Sequence, residues 1–440
     1  EDTTGGVWDQ ITYSANRFIA SFMSDYTNEN FEKDHSEEIT LWINWGRDQA
    51  KVLNYLVQSD FSMKFDTNVN IRITNATIQH AVLSGAGPDC ALHLSRTEPM
   101  NLAMRGAVYD LRSFDDCDDV MKRFMPSSGI PYEFQGGLYA LPDTQSFFMM
   151  FYRTDIFEQL GLSVPKTWDD FISVSSILMR KNMQVGLPYT QITEMTQVNL
   201  GVGALNIFPT LLIQKGKSIY NERLSATNLL SPTSVETFVE WTDYYNKYNF
   251  PITYDFFNRF RVGLMPLGIQ SYVMYATLSA AAPEISNYWK MAPIPGYEQP
   301  DGSIRNVEAG GGTGAVILKQ SKNKDAAWKF IKWWTSADVQ YRYGSEVETL
   351  LGMAARNLTA NVEALKRLPW GSETLSLLID QWEQVEEIPQ VPGGYFVSRV
   401  VDQAFWNTVN AKEDAKDMLM KWVTIAESEI ARKRKQYNVE

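Results

Sequence analysis

Between Ile39 and Leu94 the chain alternates short β-rich runs with helical spacing, and this order restricts the fold more than any other feature of the sequence. Ile39 to Trp45 reads ITLWINW, a run of β formers broken by Gly46-Arg47-Asp48. Gln49 to Gln58 places Val52, Leu53, Leu56 and Val57 on one helical face, and Val69 to Thr74 is a second β-rich run. A short helix over Thr77 to Leu83, a turn through Ser84-Gly85-Ala86-Gly87-Pro88-Asp89 and a strand from Cys90 to Leu94 continue the series. Repeated β-α-β units predict a parallel α/β sheet, and sheets of that kind bind ligands beyond the carboxyl ends of their strands. The loops Gly46 to Gln49 and Ser95 to Glu98 are therefore the first places to look.

Downstream, Leu138 to Leu141 and Phe147 to Tyr152 flank Pro142-Asp143-Thr144-Gln145, and Val262 to Ile269 and Lys290 to Pro295 are further β-rich stretches. In Val164 to Asp170, Thr167 stands three residues before Asp170, the spacing of a capping box that opens a helix. Asp325 to Ile331 is amphipathic, with Trp328 and Ile331 on one face. The adjacent Trp333 and Trp334 read as packing. Residues 1 to 37 read as an exposed lead-in with a helical segment near Ser14 to Met23.

At 440 residues and 44% apolar composition the chain can bury cores for two or three compact units. Its net charge of -12 opposes a sequence-independent grip on nucleic acid or anionic membranes, so neither is an expected partner. No stretch approaches the ~20 apolar residues of a spanning helix. The first residue is Glu1, which fits a processed leader or a longer parent chain equally, and a lipid anchor would lie in a segment outside this sequence.

Enzyme signatures are weak. His35, His80 and His93 supply no His-x-x-x-His pair, and Cys90 and Cys117 cannot complete a zinc site, so neither metal nor cofactor is expected. The two cysteines read as buried thiols, with a single disulfide left open. Gly201 to Asn206 lacks the third glycine of a dinucleotide loop, and Gly310 to Gly314 lacks the Lys-Ser/Thr of a phosphate loop.

Several pieces in fixed order carry a family resemblance. They are ITLWINW, LSGAGPDCALHLS followed by NLAMRGAVYDL, FQGGLYALPDTQSFFMMFYRTDIFEQLGL, VPKTWDDF, VGLMPLGIQSYVM, MAPIPG and GGGTGAVILKQSKNKDAAWKFIKWWTS. From Ile39 to the C-terminus this layout resembles the extracellular solute-binding proteins of carbohydrate ABC transporters. The resemblance implies an α/β, two-lobed periplasmic-binding-protein-like fold of type II, with mixed sheets flanked by helices and discontinuous lobes joined by a hinge. Lobe one is expected to hold residues 38–141 and 263–315, and lobe two residues 142–262 and 316–440. The implied function is capture of a carbohydrate in the interlobe cleft by a monomer, with the importer's membrane permease subunits as partners and no catalysis.

Carried over position by position, the resemblance implies ligand contacts at Trp45, Arg47 and Asp48 after the first strand, and at Ser95, Arg96 and Glu98 after the third. It adds Asp143 and Gln145 in the crossing, Tyr189, Gln270 and Tyr272, Gly311 and Gly312 in the glycine cluster, and Tyr395. Tyr272 stands where the family often has Trp. Read without the family, Glu98 and Asp143 are also the carboxylate pair that a glycoside hydrolase would need, and a noncatalytic glycan-binding surface protein is a third reading.

Overall fold

The computed structural model describes residues 36–74, 78–190 and 206–439. The expected helix near Ser14 to Met23 and residues 201–205 of the Gly201 to Asn206 loop lie outside these residues.

The first sheet is built as the alternation demands. Strands β1 (Glu37–Ile43), β2 (Thr67–Ile73) and β3 (Cys90–Ser95) pair in parallel, linked by helix α1 (Arg47–Leu56), which runs on through a wider turn at Val57–Phe61. Strand β4 (Leu141–Ser146) joins through β10 (Gly311–Ile317), which runs antiparallel to both β3 and β4, in the order β2-β1-β3-β10-β4. Helices α4 (Lys324–Trp334) and α5 (Ala337–Leu351) contribute Trp328, Phe330, Ile331, Trp334, Val339 and Tyr343 to the core of this lobe.

The second sheet has the order β8-β5-β7-β6, from strands β5 (Phe148–Arg153), β6 (Val185–Gly186), β7 (Leu267–Ser271) and β8 (Trp289–Ala292). β5 is apolar on both faces because both are covered: Phe148 and Met150 enter one cluster with Trp168, Trp241 and Phe405, while Met149 and Phe151 enter another with Tyr272, Trp289 and Trp382. Helix α3 (Trp168–Arg180) begins with the expected box, Thr167 Oγ1 accepting from Asp170 N at 3.1 Å and Asp170 Oδ2 accepting from Thr167 N at 3.0 Å. Helix α6 (Tyr395–Val409) closes the large cluster.

These memberships correct the expected lobe boundaries. Residues 263–310 supply β7 and β8 to the second sheet, and residues 316 to about 360 complete the core of the first lobe. Local periodicity identified both segments as strands and helices, but the partner of a strand is a nonlocal choice. Cys90 and Cys117 are separate buried thiols.

Among the described residues the chain passes between the lobes three times, and the three passages lie side by side. β4 runs into β5 across Phe147, and Glu308–Ala309 (β9, paired in parallel with β11, Val385–Glu386) runs into β10 across Gly310. The third passage borders β4, where Gln145 N donates to Leu358 O at 2.9 Å and Ala360 N to Asp143 O at 3.1 Å.

Candidate functional site

Two bulges shape the first sheet at this junction. β10 pairs Gly314 with Leu94 and Val316 with Ala91, which leaves one extra residue on β3 around Leu92 and His93. It pairs Thr313 with Thr144 and Gly314 with Pro142, which leaves Asp143 unpaired on β4. Bulges re-aim side chains, and here they face each other: Asp143 Oδ2 accepts from His93 N at 2.9 Å, and its Oδ1 accepts from Trp334 Nε1 at 2.7 Å. His93 adopts φ 57, a left-handed conformation inside a strand.

The expectation that Asp143 meets ligand is therefore corrected, since both carboxylate oxygens serve the first lobe's interior. The hydrolase alternative loses its second carboxylate with it. Trp45 is corrected likewise: it is buried against His93, Trp334 and Tyr343, with its indole N–H given to His93 Nδ1 at 2.6 Å. Tyr272 is only 1% exposed, stacked on Phe147 at 4.4 Å, and donates to Gln145 O at 3.3 Å. It is core to the second lobe rather than a free stacking platform, because it follows β7 directly and turns back under the crossing.

Arg96, Gln145 and Gly311 do come together, around a residue that sequence reading missed. Arg96, at the end of β3, gives Nη1 to Glu387 and Nη2 to Gly311 O at 2.8 Å and Gln145 Oε1 at 3.3 Å. Gln145 Nε2 donates to Glu387 Oε1 at 2.9 Å. Glu387 follows β11 of the second lobe, so this buried cluster ties one lobe to the other. Burial pushes the Glu387 carboxyl above its usual range, while Arg96 and Gln145 draw it back. Nothing in the local sequence marks Glu387, since its partner stands 291 residues away.

A second buried acid lies beside the tie. Glu308 Oε2 accepts from Phe148 N at 2.6 Å, and burial, reinforced by Glu387, holds its carboxyl well above the ordinary value of 4.5. A raised carboxylate value means that the folded state retains a proton the unfolded state releases, so stability falls as pH rises above about 4.5. Glu308→Gln keeps an acceptor for Phe148 N and abolishes the ionisation. Chemical unfolding should find this variant about 1–3 kcal/mol more stable than the parent at pH 8, with the gap closing towards pH 4.5. Parallel stability curves for the two proteins would contradict the assignment.

The remaining candidates surround the tie. Ser95 is buried with Oγ 3.4 Å from Thr97 Oγ1, and Glu98 opens helix α2 (Glu98–Met104) half-buried, its carboxyl raised by desolvation and lowered by the Ser95 backbone. Arg47 and Asp48 are exposed at the start of α1, where Asp48 faces Lys51 at 3.7 Å. Gln270, partly exposed on β7, donates to the Tyr254 hydroxyl at 3.3 Å, beside a contact of Ser146 Oγ with Ser271 Oγ at 3.2 Å. Tyr189 stacks on Phe405 at 4.6 Å and donates to Asp402 Oδ1 at 2.6 Å. Tyr395 is 42% exposed at the start of α6 and donates to Glu429 at 2.8 Å. Its phenol is pushed up to about 12 by burial and Glu429, and Arg105 of the first lobe acts in the opposite direction, which brings the two lobes' charges to bear on one group.

Gly312 has φ +151, and a Cβ there would stand 2.1 Å from Thr144 O; one at Gly310 would stand 2.3 Å from Glu387 Oε1. The glycines are required by the crossing itself. Among the described residues no group of three or more His, Cys, Asp or Glu could hold a metal ion, and no helix is long and apolar enough to cross a membrane.

Comparison with known proteins agrees with this architecture. The family described as bacterial extracellular solute-binding protein matches residues 44–341. The sugar-binding protein MalE from Xanthomonas citri is similar in structure, with TM-score 0.71 and 19% identity, covering 92% of this chain and 100% of that one. The cyclic alpha-maltosyl-1,6-maltose binding protein from Arthrobacter globiformis gives TM-score 0.71 and 18% identity, covering 90% of this chain and 99% of that one. An ABC transporter solute binding protein from Thermotoga lettingae, bound with alpha-D-tagatose, gives 0.68 and 18%, covering 90% of this chain and 100% of that one. No curated protein sequence matches.

Proposed function

The chain belongs to the bacterial extracellular solute-binding proteins, and from that membership we propose that it is the capture subunit of an ABC importer for a carbohydrate. The observation that carries the reading is the triple crossing: strand-end loops of two sheets flank three adjacent passages, the geometry of a clamp that rotates about one edge. A solute touching both lobes binds the closed form better than the open one and shifts the population towards it. Closure then serves as the signal to the permease subunits, and the protein works as a monomer.

The carbohydrate assignment draws support from the sugars named for structurally similar proteins. Contacts fall to Ser95, Glu98, Gln270, Tyr189 and Tyr395, to the backbone of Gly311 and Gly312, and at the rim to Arg47 and Asp48. Arg96 and Gln145 act as the floor that orients them.

A thermal-shift screen against short oligosaccharides, followed by small-angle scattering with each stabilising sugar, tests the proposal. The correct sugar at 100 times its Kd should stabilise the fold by about 2.7 kcal/mol and reduce the radius of gyration of a monomer. Hydrolysis of the sugar, or stabilisation without compaction, would defeat it.

A further inference from the structure

Asp301-Gly302 is the one step in the 440 residues at which an Asp or Asn precedes Gly. It tops an exposed hairpin in which Tyr297 pairs with Arg305 and Glu298 with Ile304. We propose that Asp301 is a modification site, at which the folded chain isomerises to isoaspartate with water as the only reactant.

The turn brings the reacting groups together. Gly302 N donates to Gln299 O at 2.9 Å and Gln299 N to Ser303 O at 2.7 Å. Pro300 and Asp301 are therefore the central residues of a turn, and Gly302 follows them at φ +80. Asp301 Oδ1 accepts from Ser303 N, two residues on, at 3.0 Å, which folds the carboxyl back over the Gly302 peptide. Glycine leaves that nitrogen without a side chain beside it, and a Cβ at Gly302 would meet nothing within 4 Å. A five-membered ring thus has room to close at the surface.

The step balances without an oxidant, reductant or cofactor. Gly302 N bonds to Cγ of the protonated Asp301 carboxyl, the carboxyl hydroxyl and the amide proton leave together as water, and a succinimide ring remains. Solvent water then adds to either ring carbonyl. Opening at the Asp301 main-chain carbonyl breaks its bond to Gly302 N and leaves the chain running through Cβ and Cγ, longer by one atom. One water leaves and one enters, so the mass is unchanged.

Ser303 acts as a brake. Its Oγ donates to Asp301 Oδ1 at 2.6 Å, and this bond, with that of its N–H, holds the carboxyl below the ordinary value of 3.8. Ring closure needs the acid form, whose hydroxyl can leave, so the serine hydroxyl keeps the reaction slow. The arm behind the turn withstands the added atom because both its strands are anchored. Tyr297 donates to Glu240 Oε1 at 2.5 Å, and Arg305 Nη2 to Glu386 Oε1 at 2.5 Å.

The test incubates the full chain at neutral pH for several weeks, isolates the folded monomer by size exclusion, and digests it for electron-transfer fragmentation, which distinguishes the two isomers of Asp301. Isoaspartate is expected at position 301 in that monomer, above its level at every other aspartate. Asp301→Glu, which would need a six-membered ring, should form no isomer there. Ser303→Ala should raise the rate about threefold, the worth of one weak hydrogen bond, and Ser303→Thr, which keeps the hydroxyl, should match the parent. Asp301 left unchanged, or changed only in unfolded or aggregated protein, overturns the proposal, as does an equal level at other aspartates. Equal rates with and without the Ser303 hydroxyl overturn the brake.

Discussion

Gly312→Ala is expected to yield no stably folded protein. The added methyl meets the carbonyl oxygen of Thr144 at 2.1 Å, and the backbone at φ +151 is one that residues with a Cβ rarely adopt. Relief is costly on either side, because Thr144 and Gly312 sit on the paired strands β4 and β10, with Gly312 opposite Gln145. Relief requires β10 to leave β4, and that separation removes the bond between Arg96 and Gly311 O as well. Soluble yield and circular dichroism check the outcome. Gly302→Ala, at an exposed turn with nothing within 4 Å of the new methyl, is the control and should cost little. A folded, cooperative Gly312→Ala variant would mean that the crossing is looser than drawn.

The second large effect concerns the tie between lobes. Arg96→Met should destabilise the protein by about 3–5 kcal/mol, the usual loss when one member of a buried ion pair is removed and its partner stays charged. Glu387 would then face Glu308 with only Gln145 to support it. The sign of the pH effect follows: without Arg96 the Glu387 carboxyl rises further, so the deficit should be greatest at pH 8 and shrink as the pH falls and the acid takes up its proton. Adding Glu387→Met to Arg96→Met should recover most of the loss, since replacing both charges by apolar groups is often neutral. Equal losses in the single and double variants would assign the effect to packing of the arginine stem.

The sequence revealed the elements better than their company. Strands β1, β2 and β3 and the helix at Trp168 were legible because their signals are local: alternation, helical spacing, and a Thr-x-x-Asp box. Reading Trp333 and Trp334 as packing agrees with their burial. Lobe membership was not legible. β10 looks the same in sequence whether it joins one sheet or the other, and the choice between β3 and β7 as neighbours depends on contacts more than 200 residues apart. The site divides the same way. Arg96, Gln145 and the glycines were visible as strand-end and turn residues, while Asp143, Trp45 and Tyr272 carried the right chemistry but point into cores. Glu308 and Glu387 left no trace, since a buried acid looks like a surface one until its partners are known. His93 had one available clue, a histidine within the apolar run CALHLS, and its left-handed backbone could not be foreseen from that.

The position of β10 also bears on when this chain can acquire its shape. Its neighbours β3 and β4 end by residue 146, yet the strand that lies between them begins at Gly311. At about 5–20 residues per second of synthesis, that strand emerges some ten seconds or more after the rest of its sheet. Throughout that interval the amino-terminal third has an open slot in its middle and cannot close over its apolar interior. The first sheet is thus completed only after most of the chain's length has been made.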